Sequence, residues 1–366
     1  MKVKLGEICE KASSNIAQKD IENNIGQYPI YGASGLIRHV DFYHQEQPCA
    51  AVVKDGAGVG RVFRLPAKSS VIGTLQYIIP KPGIDVNYLC YALESMNLAR
   101  FYTGATIPHI YFKDYCNTML QSHTFAEQRI IGATLDKTCG IIEYRKQQLQ
   151  KVDELVKARF VEMFGTPGIW QELPLSEVCK QVKRYPTFCN MEYIEDGVRV
   201  IRIGNILEDG HMDENDANYV FVYADANKDY PDTVIEKNDI VMAVRGDGST
   251  AKRIGIVTED ILIGANISPN LIRIQANGDI VLPRFLFYFL TSKIGQQRLE
   301  KYVNKTAKKN IAAKDIIKVM LPVPPMNVQE QFSNFIAQVD KSKSSIQSSL
   351  DQFETLKQSL MQKYFG

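Results

Sequence analysis

The sequence is poor in the patterns that identify membrane proteins, secreted proteins and disulfide-rich proteins. Its 366 residues contain no apolar run of about 18 residues, the length that a membrane-spanning helix needs. The start, MKVKLGEICEKASSN, has no apolar segment of the kind found in signal peptides. The seven cysteines form no C-x-x-C pair, and their odd number argues against a disulfide framework. We therefore expect a cytoplasmic protein that does not associate with membranes.

Patterns of the common catalytic sites are also absent. No G-x-x-x-x-G-K-[ST] loop occurs, which excludes an encoded ATP-driven motor. The adjacent prolines Pro324 and Pro325 stand in VPPM, not in the Asn-Pro-Pro-aromatic tetrad expected of an amine methyltransferase. Asp232 and Glu236 lack the spacing that many nucleases use to hold a metal ion, and the histidines lack zinc-ligand spacing. We therefore predict a non-enzyme that holds no metal and no cofactor.

A glycine-rich stretch is the one candidate for a nucleotide-binding loop. Gly56, Gly58 and Gly60 form a G-x-G-x-G pattern. A dinucleotide-binding loop requires a helix directly after its glycines. Here Arg61 begins the strand-like run RVFRL instead. The pattern therefore favours a glycine turn between two strands over a nucleotide site.

The most informative feature of the sequence is an internal repeat. Residues 123–165 return, with changes, as residues 325–366, and both copies end in Phe-Gly. Both copies also open with a Glu-Gln pair, Glu127-Gln128 in the first and Glu330-Gln331 in the second. Near the start of each larger segment, KLGEICE resembles PLSEVCK at Pro174. A unit repeated at about half the chain length indicates two similar modules that act on a target with two parts.

Both repeated segments have the pattern of a coiled-coil helix. Apolar residues recur every seven positions, and no proline interrupts them. The predicted helix-pairing residues are Leu135, Ile142, Leu149, Val156, Met163, Phe332, Val339, Ile346, Phe353 and Leu360. Each helix would reach on the order of 57 Å, so its apolar stripe needs a long partner. We predict that the two helices pack against each other in antiparallel fashion, with a globular module at each end. Packing in an ordinary bundle and pairing with a second copy of the chain are the alternatives.

Turn-forming residues separate the two helices from two larger segments. GTPGIW after the first helix and LPVPPM before the second are typical of helix ends. We therefore predict a globular domain at 1–122, a helix at 123–165, a second domain at 166–324 and a second helix at 325–366. Within the domains, PCAAVVKDGAGVGRVFRLP and DIVMAVRGDGSTAKRIGIVTED each predict two strands joined by a glycine-rich turn. The predicted fold class is α+β.

Basic residues are concentrated locally although the overall charge is nearly balanced, with 43 Lys+Arg against 41 Asp+Glu. Two stretches at corresponding places in the repeat contain no acidic residue: RFYTGATIPHIYFK from Arg100 and KYVNKTAKKNIAAK from Lys301. Basic loops beside Asn, Ser and Thr suit contacts with phosphates and base edges. A solvated surface is the alternative for any single lysine.

The candidate DNA-binding residues follow from these loops. In the first domain they are Lys54, Arg61, Arg64, His109, Tyr111 and Lys113, together with Tyr31 and Arg38. In the second domain they are Arg245, Lys252, Arg253, Lys305, Thr306, Lys308, Lys309 and Asn310.

The two divergent domains, the two similar helices and the phrases YPIYGASGLI and NKTAKKNIAAKDIIKVMLPVPPMNVQEQ carry a family resemblance. Over its whole length the chain resembles the DNA-specificity (S) subunit of type I restriction-modification systems. The first domain departs from the family phrase, because it lacks the Pro-Pro before its Glu-Gln pair. The resemblance implies two target recognition domains, each of which reads one half of a split, asymmetric double-stranded DNA sequence, and helices that act as a ruler for the gap.

The resemblance also implies partners. Two modification (methyltransferase) subunits would dock on the chain, carry S-adenosylmethionine and transfer the methyl group. It leaves open whether restriction or motor subunits join the complex. A specificity subunit of a fused restriction-methylation system outside type I stays an alternative. So do a coiled-coil scaffold that binds only proteins and an enzyme with an unrecognised site.

Overall fold

The chain folds into two compact units. The computed structural model describes residues 2–104, 108–166, 168–184, 192–244, 253–304 and 310–366. The first unit comprises Met1–Gln147 and Gln347–Gly366, and the second comprises Gln148–Ile346. Each unit therefore contains one domain, the first part of one long helix and the last part of the other. Every helix within the described ranges is too short or too polar to cross a lipid bilayer.

The domain of the first unit is built from short strands and a few helices, as the predicted α+β class requires. Its strands are β1 Lys2–Lys4, β2 Cys9–Ser13, β3 Tyr28–Gly32, β4 Gly35–Val40, β5 Cys49–Val53, β6 Val62–Leu65, β7 Ser70–Val71, β8 Leu75–Pro80 and β9 Met119–Gln121. Its α-helices are α1 Leu5–Ile8, α2 Val86–Ser95 and α3 Phe112–Tyr115, and its 3-10 turns are Gln18–Ile21 and Leu98–Phe101.

The strands of the first domain form three sheets. A four-stranded antiparallel sheet has the order β2-β8-β5-β6, and a three-stranded sheet has the order β4-β3-β7. A short ladder joins β1 to β9, with Lys2 opposite Gln121. Helix α2 covers one face of the larger sheet and buries Tyr88, Leu89 and Leu93 together with Ala50 and Val52 of β5. This apolar layer positions the loops at the open ends of the strands.

The glycine-rich stretch is the turn between β5 and β6, which confirms the predicted hairpin. The two strands are antiparallel, with Val52 opposite Val62 and Cys49 opposite Leu65. Gly60 has a φ of 86°, a region that favours glycine. A Cβ atom there would lie 2.5 Å from the backbone nitrogen of Ala99. The glycine therefore lets the turn approach the backbone of the segment after α2.

The domain of the second unit contains a corresponding set of elements. Its strands are β10 Gln171–Pro174, β11 Cys179–Arg184, β12 Val198–Ile201, β13 Val220–Val222, β14 Ile240–Ala243, β15 Ile254–Ile256, β16 Asn266–Ile267, β17 Leu271–Ala276 and β18 Met320–Val323. Its α-helices are α5 Leu175–Val178, α6 Ala226–Asp229, α7 Pro283–Thr291, α8 Lys293–Glu300 and α9 Ala313–Ile316. Its 3-10 turns are Ile203–Asn205, Asp216–Asn218, Pro231–Thr233 and Asp260–Leu262.

The two domains share one topology. The sheets of the second domain have the orders β11-β17-β14-β15, β13-β12-β16 and β10-β18, which match those of the first domain strand for strand. Even the mixed pairing is repeated: β3 runs parallel to β7, and β12 runs parallel to β16. The weak sequence repeat therefore reflects a complete structural duplication. The largest insertion of the second domain lies between β12 and β13, and a smaller one lies between β13 and β14.

Two helices of 40 residues each follow the domains. α4 spans Phe125–Phe164 and α10 spans Met326–Phe365. In the first unit, Ile131 and Leu135 near the start of α4 share a core with Phe365 and Leu360 at the end of α10. The side chain of Lys146 bonds Glu354 at 2.9 Å. The start of one helix thus meets the end of the other, which is antiparallel packing.

The second unit repeats this packing with the roles of the helices exchanged. Phe160 and Phe164 at the end of α4 meet Phe332 near the start of α10, with ring centroids 5.4 and 5.5 Å apart. The side chain of Lys343 bonds Asp153 at 2.9 Å. The antiparallel coiled coil is therefore present in both units.

The ten predicted helix-pairing residues are all buried or half-buried in the structure. Leu135, Val156, Phe332 and Val339 are the most deeply buried of them. The sequence pattern missed Phe160 and Phe164, because the buried stripe changes from heptad spacing to steps of four residues after Val156. Such steps turn the stripe around the helix, and here they bring it onto the core of the second domain.

The Glu-Gln pairs are not equivalent in the way the sequence suggests. Gln128 accepts a hydrogen bond from the backbone nitrogen of Asp85 at 2.9 Å. Its true counterpart is Gln329, which accepts from the backbone nitrogen of Leu282 at 2.9 Å. Gln331 is exposed. The pairing of Gln128 with Gln331 is thus wrong by two residues, because only the glutamine that enters the domain core can make this bond.

Candidate nucleic-acid interface

Three loops of the first domain come together at one edge. The glycine turn after β5 meets the segment after α2, where the backbone nitrogen of Gly56 donates to the carbonyl of Pro108 at 3.0 Å. That segment is closed on itself by two backbone hydrogen bonds between Thr103 and His109, of 2.8 and 2.9 Å. The candidates Lys54 and His109 are therefore neighbours although 55 positions separate them in the sequence.

Asp55 joins these two candidates. Its carboxylate bonds the ammonium group of Lys54 and lies 2.7 Å from Nδ1 of His109. Burial by itself would raise the pKa of Asp55, but the hydrogen bonds from Lys54 and His109 outweigh it and lower the pKa. Asp55 therefore stays anionic and compensates part of the local positive charge. Sequence reasoning did not include this acid.

Arg61 connects the same edge to the β3-β4 hairpin. Its Nη1 donates to the carbonyl of Ala33 at the hairpin tip, at 3.0 Å. Tyr31 lies just before that tip, half-buried at a β-bulge between Ile30 and Tyr31. Burial raises the pKa of Tyr31 above its ordinary value. The hairpin tip is thus the third loop of the cluster.

Tyr111 and Lys113 lie at the start of α3 and are open to solvent. The Tyr111 side chain is 51% exposed, and the Lys113 ammonium lies 5.4 Å from the centre of its ring. An exposed aromatic ring with a cation over its face can stack on a base or contact a phosphate without losing a buried partner.

Two candidates of the first domain are already occupied by protein groups. Nη1 of Arg38 donates to the carbonyls of Ile21 and Glu22, which ties the hairpin to a 3-10 turn. Arg64 makes a two-pronged ion pair with Asp136 of α4, at 2.8 and 3.2 Å. The structure therefore brings together Lys54, Arg61 and His109 and directs Arg64 towards the helix.

The second domain repeats the arginine contact. Arg253 stands directly before β15, as Arg61 stands directly before β6. The backbone nitrogen of Val53 donates to the carbonyl of Arg61 at 2.9 Å, and the backbone nitrogen of Ala243 donates to the carbonyl of Arg253 at the same distance. Nη1 of Arg253 lies 3.4 Å from the carbonyl of Ile203, in the loop that corresponds to the Ala33 tip.

The loop that contains Asn310 is also repeated. The backbone nitrogen of Asn304 donates to the carbonyl of Asn310 at 2.8 Å, as Thr103 does to His109. Within the described ranges, the buried Oδ1 atom of Asn310 has no hydrogen-bond partner. The other candidates of this domain lie outside the described residues; they are Arg245, Lys252, Lys305, Thr306, Lys308 and Lys309.

A polar groove of about 860 Å³ adjoins Arg253 in the second domain. Its lining includes Tyr193, Arg202 and Asn205, none of which the sequence analysis selected. Asn205 is held in place, because its Nδ2 donates to the carbonyl of Asn218 at 3.1 Å. Arg202 lies over the Tyr193 ring at 6.0 Å. Alignment of RIGN with the YGASG hairpin tip would have pointed to this loop.

Among the residues that the structure describes, no group of three or more His, Cys, Asp or Glu side chains is arranged to hold a metal ion. Beside the Asp55 carboxylate, these edges carry cationic, amide and aromatic groups. Such groups recognise phosphates, sugar hydroxyls and base edges.

Among the known proteins with similar sequences are two type I specificity subunits. The chain is 25% identical over 296 residues to the type I restriction enzyme EcoBI specificity subunit of Escherichia coli. That match covers 72% of this chain and 61% of the relative, so this chain spans less than two thirds of the relative's length. It is 24% identical over 328 residues to the type I restriction enzyme MjaVIII specificity subunit of Methanocaldococcus jannaschii, covering 84% of this chain and 76% of the relative.

Solved structures with a similar fold include two from type I systems. The S subunit of a type I restriction-modification system from M. genitalium has a TM-score of 0.62 at 15% identity, with 100% of this chain and 96% of that one covered. A chain from a structure on the assembly and conformational transition of a type I system has a TM-score of 0.59 at 15% identity, with 100% and 97% covered. At this identity the likeness establishes the fold.

The sequence model for the type I restriction modification DNA specificity domain matches twice, at residues 1–154 and 167–353. Those two matches cover most of the chain and correspond to its two repeated halves. The predicted family is confirmed: the chain belongs to the type I restriction-modification DNA specificity proteins.

Proposed function

We propose that this chain is the sequence-specificity subunit of a type I restriction-modification complex. In this proposal each domain binds one half of a split, asymmetric site in double-stranded DNA. The observation that carries it is the repetition of the arginine contact, in which Arg61 and Arg253 hold hairpin loops at equivalent edges of two domains. The two domain edges share this backbone arrangement but carry different side chains, which suits the recognition of two half-sites with different sequences.

The proposed contacts in the first domain divide into two kinds. Arg61 and Lys113 would contact phosphates, because both are cationic and lie at the loop edge. Tyr111, which is 51% exposed, and Tyr31 would contact bases or sugars. Lys54 and His109 would act together with Asp55, since one carboxylate binds both. Arg64 and Arg38 would mainly stabilise the domain, because their guanidinium groups already donate hydrogen bonds to protein oxygens.

In the second domain, the proposed contacts centre on Arg253, Asn310 and the groove lined by Tyr193 and Arg202. The predicted DNA-binding residues outside the described ranges complete the proposed surface; they are Arg245, Lys252, Lys305, Thr306, Lys308 and Lys309. Arginine and asparagine are the side chains that most often form paired hydrogen bonds with guanine and adenine.

The two long helices would serve two roles. They would act as a ruler that fixes the number of unread base pairs, and they would present docking surfaces for two modification subunits. Those subunits would bind S-adenosylmethionine and transfer the methyl group, so this chain would select the site without catalysis. The complex would act on cellular DNA in the cytoplasm, and the proposal holds with or without restriction subunits.

The direct test is to express the chain together with its modification partner and to map methylated positions across a genome. We expect one asymmetric motif of two parts separated by a gap of constant length. Expression of the modification partner alone is the control and should give no such motif. A continuous motif, or methyl transfer by this chain alone with S-adenosylmethionine, would contradict the proposal.

A further inference from the structure

A single carboxylate joins the first recognition domain to α4. Within the described part of the chain, Asp136 accepts four side-chain hydrogen bonds from that domain. Two come from Arg64 of β6, at 2.8 and 3.2 Å. The others come from the hydroxyl of Tyr91 at 2.7 Å and from Nδ2 of Asn87 at 3.0 Å, both in α2. A carboxylate offers about four acceptor sites, and all of them are used.

Asp136 is the last member of a row on one side of α4 that faces α2. Gln128, Gly132 and Asp136 follow at intervals of four residues and therefore share a helix face. Gln128 binds the backbone nitrogen at the start of α2. A Cβ at Gly132 would lie 3.2 Å from Cβ of Asn87, so glycine permits the close approach. The contact between α4 and α2 is therefore held at one end by Gln128, closely packed in the middle at Gly132, and held at the other end by Asp136.

The donors reach Asp136 from two different elements of the domain. Arg64 lies at the end of the four-stranded sheet, and Tyr91 lies one turn along α2. Hydrogen bonds from two directions restrain rotation of the domain about the helix, whereas a contact from one direction would leave it free to swing. The guanidinium group of Arg64 also lies 5.5 Å from the centre of the Tyr91 ring, so a cation–π contact stabilises the two donors against each other.

Among the residues described in the second unit, this arrangement has no copy at the same position. The residue equivalent to Asp136 is Ala337, and an ion pair lies instead between Arg284 of α7 and Asp340, at 2.5 Å. Counting only described residues, that contact has one donor element rather than two. The way in which each domain is held on its helix therefore differs between the duplicated halves.

We propose that Asp136 is a positioning residue that sets the angle of the first recognition domain on α4. This inference rests on the proposed function, because the angle of a reading domain on a ruler determines where its half-site must lie. A domain held from two directions accepts one gap length, and a domain that can rotate accepts neighbouring gap lengths. Base contacts within the half-site do not involve Asp136.

The test uses the full chain with its modification partner and a DNA library in which the gap is varied by single base pairs. Asp136→Ala should lower the discrimination against gaps one base pair longer or shorter about tenfold, which corresponds to about 1.4 kcal/mol. The base preference within both half-sites should stay unchanged. Glu143→Ala, an exposed acid on the same helix, is the matched control and should keep the discrimination of the wild type.

Tyr91→Phe guards against simple loss of folding, because it removes one donor and keeps the ring. It should weaken gap discrimination less than Asp136→Ala does. Arg64→Ala combined with Asp136→Ala should have no larger effect than Asp136→Ala alone, since both remove the same joint. If folded Asp136→Ala and Tyr91→Phe variants kept the gap discrimination of the wild type, the inference would be overturned. Changed base preference would also overturn it. Failure of the wild type to yield any two-part motif would refute the proposed function instead.

Discussion

Gln128 and Gln329 perform the same task in the two halves of the chain: each carries its side-chain amide into a domain and accepts a hydrogen bond at the start of a helix. Both amides also donate to backbone carbonyls, Gln128 to His123 at 2.9 Å and Gln329 to Pro324 at 2.9 Å. Gln329 has a further bond to the carbonyl of Ile280 at 3.0 Å. Each glutamine thus links a domain to the first turns of a long helix.

This relationship predicts a stability loss with a built-in control. Gln329→Leu should lower the free energy of unfolding by about 3 kcal/mol, because a buried donor and two carbonyls lose their partner. Gln331→Leu, two residues further along the helix and exposed, should change it by less than about 0.5 kcal/mol. Urea unfolding followed by circular dichroism measures both. Equal effects of the two substitutions would show that the register assigned here is wrong.

A buried ion pair gives a second prediction. Arg273 and Asp239 are each 2% exposed in their side chains and lie 2.6 Å apart. Burial raises the pKa of Asp239, although Arg273 and the backbone of Glu236 act to lower it. Asp239→Ala should cost about 3–5 kcal/mol of stability, because it leaves the arginine buried without this partner. Asp260→Ala is the control: it removes an exposed ion pair with Lys237 and should cost about 1 kcal/mol or less. In thermal unfolding, the melting temperature of Asp239→Ala should therefore lie far below that of Asp260→Ala.

The proposed phosphate contacts predict a change in salt dependence. Replacing Arg61 and Lys113 by alanine should reduce the slope of log K against log salt by about 1.8, since each lost phosphate contact contributes about 0.9. Lys308→Ala with Lys309→Ala should have a similar effect. Titration of the partner complex with its DNA site at several salt concentrations measures the slope. Lys137→Ala, on an exposed face of α4, should leave it unchanged, and an unaltered slope in the loop variants would remove them from the interface.

The ruler role predicts that the gap follows helix length. Deleting one heptad from both α4 and α10 keeps the apolar stripe in register, because the deletion is a full repeat of the pattern. The methylated motif should retain both half-sites while the gap between them changes. Deleting four residues from each helix is the comparison, since it rotates the stripe and should impair folding. An identical gap after the heptad deletion would refute the ruler.

The helices and hairpins of this fold could be predicted from the sequence, but the contacts between the domains and the long helices could not. Heptad spacing and the repeated strand-turn-strand pattern predicted the helices and the hairpins, because both depend on local periodicity. The register of the second helix could not be read in the same way, since Gln329 and Gln331 differ only in what they meet in space. For the same reason the sequence could not show that Arg64, a predicted DNA contact, pairs with Asp136, which lies 72 positions away.

The candidate loops illustrate the same limit. His109 and Arg61 were selected from local composition, and the structure places both at one edge of the domain. Asp55 was missed, because an acid beside a lysine gives no sign that a distant histidine will share it. The groove residue Arg202 was missed because its loop matches the first domain only after the strands have been superimposed.

The ends of the long helices carry a consequence for chimeric proteins. Phe164, with which α4 ends, packs on Phe285 at 4.8 Å, and Phe365, with which α10 ends, packs on Tyr88 at 5.2 Å. Replacing one domain by that of another protein therefore also replaces the aromatic residue on which the last phenylalanine of a long helix packs. A chimeric protein should fold well only when the new domain has an aromatic residue at the position of Phe285 or Tyr88.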